Sequence, residues 1–225
     1  MASNGSLKLV LFDCDGTLVD SQHAIVDSMN AAWAAHGMGL PDANAVRRVV
    51  GLSLVEAIMR LAPQLSEKDA CAVAESYKQA FGDMRHLGQI DEPLYDGILE
   101  TIEALASAGY LLGVATGKSR RGLDAVLNRH NLRSRFVTLQ TADMGPGKPN
   151  PHMVWRALDE TGAEPADTVV IGDTTFDIQM AKRAGSRSIG VVWGYHEPAE
   201  LEAAGAHRLA QHPRDIPQAV ADLLA

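Results

Sequence analysis

Apolar positions along the chain follow two patterns. Short continuous runs occupy residues 7–12, 110–115, 136–139, 168–171 and 188–193, most without apolar/polar alternation. Strands buried on both faces of a parallel sheet read this way. Residues 97–107, 119–130, 151–161 and 176–184 lie between these runs and carry helical patterns. Residues 207–210 predict an edge strand and 216–224 a closing helix. Strand–helix alternation of this kind predicts an α/β fold, doubly wound around a parallel sheet.

From residue 20 to residue 91 the alternation stops. Residues 21–36, 53–61 and 66–84 read as successive helices, the last opening on a Ser66-Glu67-Lys68-Asp69 cap. Pro93 disfavours helix at Glu92 and marks the return. The pattern predicts a helical domain over 20–91 inserted into a core formed by 1–19 and 92–225, with its two ends close together on the host. The plainer alternative is one long helical crossover.

Composition narrows the class. The chain has 225 residues, 46% hydrophobic and 21% charged, as expected of a folded globular protein of one or two domains. Its formal charge of -8 argues against nucleic acid as a partner, since phosphate-backbone binding needs a basic face. No apolar run approaches the ~20 residues that span a bilayer, so no membrane partner is expected. Met1 to Ser6 lack the charged-then-apolar pattern of a leader, and two cysteines, Cys14 and Cys71, form no disulfide framework. The expected location is a reducing cytoplasm. Both a monomer and a homodimer are compatible with the sequence.

Four segments carry candidate chemistry, and each ends or follows an apolar run. Asp13-Cys14-Asp15-Gly16-Thr17 follows the first. Its two carboxylates, two residues apart, repel unless a cation separates them or one keeps its proton. Alone, the segment also reads as an acidic loop capping a strand. Thr116-Gly117-Lys118 ends the second run and offers a hydroxyl and amides at a helix start, an anion-binding arrangement or an ordinary cap. Gly145-Pro146-Gly147-Lys148-Pro149 confines a lysine suited to phosphate, or leaves it solvated. Gly172-Asp173-Thr174 places a carboxylate at a strand end with Asp177 one turn later. Such oxygens suit Mg²⁺, and Asp173 equally suits a helix cap. Ligands in open α/β sheets bind at the carboxyl ends of the strands, where all four segments should meet.

This set, in this order, resembles the four motifs of the haloacid dehalogenase superfamily, over essentially the whole chain. Asp13-x-Asp15-Gly16-Thr17 with Leu18-Val19-Asp20-Ser21 is its most specific part. The chain looks most like the phosphoglycolate-phosphatase-like hydrolases with a small helical (C1-type) cap. The resemblance implies a sheet order 5-4-1-2-3. It implies a Mg²⁺-dependent phosphatase acting on a small phosphate monoester, 2-phosphoglycolate or a sugar phosphate, through an aspartyl-phosphate. Asp13 would be the nucleophile and Asp15 the acid and base, with its proton retained at rest. The Asp13 side chain, the Asp15 backbone carbonyl and Asp173 would hold the metal. Thr116, Gly117 and Lys148 would bind phosphate, with Asp177 behind Lys148 or a metal-bound water. A β-phosphoglucomutase-like phosphomutase and a phospho-accepting switch or binding protein without turnover are the rival readings. An acid at Asp15 disfavours dehalogenation.

Gly51-Leu52-Ser53 reads either as a turn or as a loop touching the leaving group through Ser53. Lys118, Arg120, Arg121, Arg129, Arg133 and Arg135 read as a solvated basic face; the sharper alternative puts Lys118 or Arg120 beside the substrate. Lys68 and Lys78 read as solvated, Cys14 as a structural thiol, and Trp33, Trp155 and Trp193 as core. Asp20-Ser21 and Asp91-Glu92-Pro93 are the expected hinges.

Overall fold

The computed structural model describes residues 6–225; the N-terminal stretch read for a leader lies, apart from Ser6, outside the described residues. β1 (Leu9–Phe12) leads into four helices, α1 (Gln22–Ala35), α2 (Ala43–Arg48), α3 (Leu54–Leu61) and α4 (Glu67–His86). Next come α5 (Ile98–Ser107), β2 (Leu111–Thr116), α6 (Arg120–Arg129), β3 (Thr138–Thr141) and α7 (His152–Thr161). The chain finishes with β4 (Thr168–Gly172), α8 (Thr175–Ala184), β5 (Arg187–Val191), α9 (Pro198–Ala204), β6 (Arg208–Ala210) and α10 (Ile216–Leu223). The sheet is parallel throughout, in the order β3-β2-β1-β4-β5-β6.

β1 shows why the core runs of the sequence do not alternate. Val10 and Phe12 point to one face and pack with Ile98, Ile102, Leu123, Leu127 and Val220 of the helices there. Leu9 and Leu11 point to the other and meet Met153, Val154 and Met180. Both faces are covered, so every position of the strand is apolar. Register then aligns the strand ends. Phe12 stands opposite Val114 and Ile171, and Thr116 opposite Thr141. Residues following β1, β2 and β4 therefore emerge on one edge. The connections diverge to opposite sides of β1, making that edge a topological switch point.

The four helices between β1 and β2 have a core of their own, including Ile25, Met29, Trp33, Ile58 and Val73. A smaller cluster of Val49, Leu52 and Ala57 with Phe176 of α8 joins the two layers.

Several expectations need correction. β3 starts two residues later than the apolar run at 136–139; Phe136 packs edge-on against Phe12, and the Val137 amide donates to the Leu112 carbonyl at 2.8 Å just ahead of the strand. Its polar residues are buried instead, with the Gln140 amide donating to Thr138 Oγ1 at 2.8 Å. α2 and α9 were not expected: each buries a single side chain, Val46 or Leu201, and so has no apolar period. α2 starts on a local cap, Asp42 accepting from the Ala45 amide, and α9 on the Glu197/Glu200 capping box. Trp155 is not core; it is 49% exposed on α7.

Candidate active site

The Asp13 amide donates to the Ile171 carbonyl at 2.8 Å, extending the β1–β4 ladder by one step and fixing the side chain at the switch point. Its Oδ1 accepts from the Cys14 amide at 2.6 Å and lies 2.8 Å from Lys148 Nζ. Lys148 Nζ is also 2.6 Å from Asp177 Oδ1, and the lysine is fully buried. These are ion-pair distances without hydrogen-bond alignment: neither Lys148 Nζ nor Asp177 Oδ1 has an aligned partner. Asp177 Oδ2 is committed elsewhere, accepting from the Thr174 amide at 3.1 Å and its hydroxyl at 2.6 Å in the capping box of α8. Thr174 is thus the cap residue, and Asp173 is free of that role.

Asp173 Oδ1 accepts from Thr17 Oγ1 and Oδ2 from the Tyr195 amide, both at 2.9 Å. Gly16 makes the approach possible. Its φ is +82°, and a Cβ there would lie 2.3 Å from Asp173 Oδ2. Oxygens of Asp13, Asp173 and Asp177 all lie within 4.8 Å of one another, and all three residues are buried. Burial, with Asp177 adding and Lys148 opposing, pushes the Asp13 carboxyl up to about 7. Burial and then Asp13 raise Asp173 well above the carboxylate range. Burial alone would depress Lys148, but Asp13 and Asp177 outweigh it and hold its ammonium above the ordinary lysine value.

Asp13 and Asp177 thus share one ammonium beside a third carboxylate, Asp173, and Asp13 Oδ2 is buried with no partner. An unpartnered anionic oxygen in a buried acidic trio fits a hard divalent cation. Asp13 and Asp173 are the side chains able to hold it. The Asp15 carboxylate is not in that trio; it accepts from Ser21 Oγ at 2.6 Å and lies 2.9 Å from Lys118 Nζ. The Cys14 thiol is buried and pushed well up by burial and Asp15, an inert structural group.

Lys118 corrects the solvated-face expectation. Its side chain is 9% exposed and also meets Glu92 Oε1 at 3.1 Å. Glu92 is 2% exposed and accepts from Arg85 of α4 at 2.6 Å. Burial works against the Lys118 charge, yet Asp15 and Glu92 raise its pKa further still. The five arginines of that cluster do lie at the surface. Position directly after Thr116-Gly117 was the available signal for Lys118. Glu92 and Tyr195, whose hydroxyl is 3.3 Å from Ser21 Oγ, had none.

One cavity of about 470 Å³ joins Asp13, Asp15, Thr116, Gly117 and Ser53. Lys148 does not line it and reaches the site from behind Asp13. Residues 51–53 close over the cavity. A Cβ on Gly117 would meet the Leu52 and Gly51 carbonyl oxygens at 2.7 and 2.8 Å, and one on Gly147 would meet Ser53 Cβ at 3.2 Å. His196 adds a contact between layers. Its Nδ1 accepts from the Thr175 amide at 3.2 Å, so Nε2 carries the proton donated to the Arg48 carbonyl at 3.1 Å. The Arg48–Glu200 ion pair lies alongside. No helix among the described residues is long and apolar enough to cross a membrane.

The family profile described as haloacid dehalogenase-like hydrolase matches residues 10–191. The chain is 37% identical to a probable phosphatase IndB of Dickeya dadantii, over 87% of this chain and 86% of that one. It is 33% identical to an N-acetylmuramic acid 6-phosphate phosphatase of Pseudomonas aeruginosa, over 93% of each chain. Identity to a phosphoglycolate phosphatase of Xylella fastidiosa is 30%, over 86% and 84%. The fold matches the crystal structure of a predicted phosphatase from Clostridium acetobutylicum with a TM-score of 0.87, covering 97% of this chain and all of that one at 24% identity.

Proposed function

Because the chain belongs to the haloacid dehalogenase-like hydrolases and is a phosphatase of small phosphorylated substrates, related to the phosphoglycolate phosphatases, we propose that Asp13 is its nucleophile and that turnover passes through an aspartyl-phosphate. The observation that carries this is Asp13 itself: buried at the switch point, one oxygen held by the Cys14 amide and Lys148, the other unpartnered.

In the first step an Asp13 oxygen bonds to phosphorus while the ester P–O bond breaks. Asp15, once it holds a proton, gives it to the departing oxygen and then takes one from the water that attacks the phosphoenzyme; its pairing with Ser21 and Lys118 runs against the expectation that the proton is retained at rest. That attack breaks the aspartyl O–P bond, releases phosphate and restores both residues. Thr116 and the Gly117 amide bind phosphoryl oxygens in the shared cavity. Lys148, fixed by Asp177, neutralises Asp13 from behind. Asp13, Asp173 and the Asp15 carbonyl would hold a divalent cation, Mg²⁺ in this reading, which would supply positive charge for the transferring group. Residues 20–91 act as the cap, moving against 1–19 and 92–225; closure of residues 51–53 excludes bulk water.

The test is phosphate release from a panel of monoesters, with Mg²⁺ and with EDTA, by wild type and Asp13→Asn. Release that needs the cation and disappears in the folded variant supports the reading. Undiminished release by Asp13→Asn overturns it.

A further inference from the structure

The cavity over Asp13 does not stop at the phosphate site. It continues into the helical layer, where its walls are Ile25, Met29, Val46 and Leu54, with Tyr77 and Phe81 of α4 beside them. The first three belong to the buried core of that layer, so the cavity runs from an exposed rim at Lys78, His86 and Arg121 into an apolar hollow. Liquid water takes about 30 Å³ per molecule. A volume of about 470 Å³, the phosphate site included, is then roughly fifteen waters, more than a two-carbon acid and its phosphate together occupy.

The charges around the hollow point the same way. A carboxylated leaving group needs a cation that is not already matched. Lys118 is shared between Asp15 and Glu92, and Arg85 is bound to Glu92. Both cations also sit over the Phe81 ring, 5.2 and 5.0 Å from its centroid. Lys78 and Arg121 border the cavity only where they are exposed, and Lys78 is paired with Glu75 at 2.6 Å. A second anion placed here would sit beside Asp15, and Arg121, the one lysine or arginine of the lining without an ion pair among the described residues, is exposed to solvent, so the placement costs free energy. An uncharged apolar body instead removes the accessible apolar wall of the cavity from water.

Resting on the phosphatase reading above, we propose that the substrate is a phosphate monoester of a bulky, uncharged alcohol bearing an apolar ring, of about nucleoside size, rather than a compact phosphorylated acid. The ring enters the hollow between α1 and α4, and the phosphate lies on Asp13.

Gly82 offers the test. It lines the cavity, and a Cβ there meets nothing within 4 Å. Leucine at this helical position has better propensity than glycine and touches none of the catalytic groups. Gly82→Leu therefore narrows the hollow without threatening the fold. kcat/KM would be measured for 2-phosphoglycolate, a hexose 6-phosphate, ribonucleoside 5′-monophosphates and 1-naphthyl phosphate. Wild type should favour the ring-bearing esters over 2-phosphoglycolate by at least about tenfold, and over the equally uncharged but polar hexose ester. Gly82→Leu should lower turnover of the ring-bearing esters about tenfold or more and leave 2-phosphoglycolate within about twofold. Preference for 2-phosphoglycolate, or an equal effect of the variant on all esters, overturns this inference and leaves the phosphatase reading standing. No release from any ester overturns both.

Discussion

Gly117→Ala separates closure of the helical layer from phosphate binding. The variant keeps the Gly117 amide and adds one carbon. That carbon would lie 2.7 Å from the Leu52 carbonyl oxygen, 2.8 Å from that of Gly51 and 3.0 Å from the Gly51 carbonyl carbon. Ordinary van der Waals contact begins near 3.4 Å, so residues 51–52 must retreat by roughly half an ångström or more. The obstacle is backbone, with no flexible side chain to swing aside. Overpacking of this kind costs about 1–3 kcal/mol, and each 1.4 kcal/mol is a factor of ten in a population. The closed arrangement should therefore fall about 5- to 150-fold, and kcat/KM for phosphate release with it. The core cluster and the helical cluster are each untouched, so the melting temperature should change little. Inhibition by inorganic phosphate, small enough to bind with the layer ajar, should weaken less than turnover of an ester. Activity within twofold of wild type would refute the argument that the 51–53 loop must seat on Gly117. Equal loss of phosphate binding and turnover would place the damage in the anion site instead.

Two other perturbations follow from the buried charges. Lys148→Met leaves Asp13 and Asp177 without their shared ammonium in a fully buried setting; stability in EDTA should drop by about 3–5 kcal/mol, read from denaturant melts, and a loss under about 1 kcal/mol would show the pair to be energetically idle. His196 titrates below its ordinary range, chiefly because it is buried. A histidine depressed in the folded state contributes stability that is present above about pH 6.5 and lost as pH falls through its folded pKa. Melting temperature should consequently fall more steeply from pH 7 to pH 5 in wild type than in His196→Gln, and parallel curves would remove His196 from the account.

The helices and strands that formed where the sequence placed them are the strongly patterned ones. β1, β2 and β4 are apolar on both faces because both faces are covered, and α6 and α7 each have a clear buried side. β3 was displaced because its interior is Thr138 and Gln140, buried polar groups that bond to each other and, through Thr138, to Glu160, with Gln140 Oε1 left unpartnered. No hydrophobic pattern reports a hydrogen-bonded pair of that kind.

The chemical groups divide along the same line. Asp13, Asp15, Thr116, Lys148, Asp173 and Asp177 were legible because each stands at a strand end, in a constrained loop or in the first turn of the helix that follows, and parallel register carries strand ends to one edge. What the sequence determined by itself is that inventory, the order of its motifs and the place of the helical insertion. Only the tertiary structure decided which charge meets which. It gave Asp177 to Lys148, one of the two partners the resemblance allowed, sent Asp15 to Ser21 and Lys118, left Asp13 Oδ2 unmatched, and drew Glu92 in to bridge Lys118 and Arg85. It also hollowed the helical layer over the site. Pairing and cavity shape depend on residues far apart in the chain converging within a few ångströms, and local pattern contains no term for that distance.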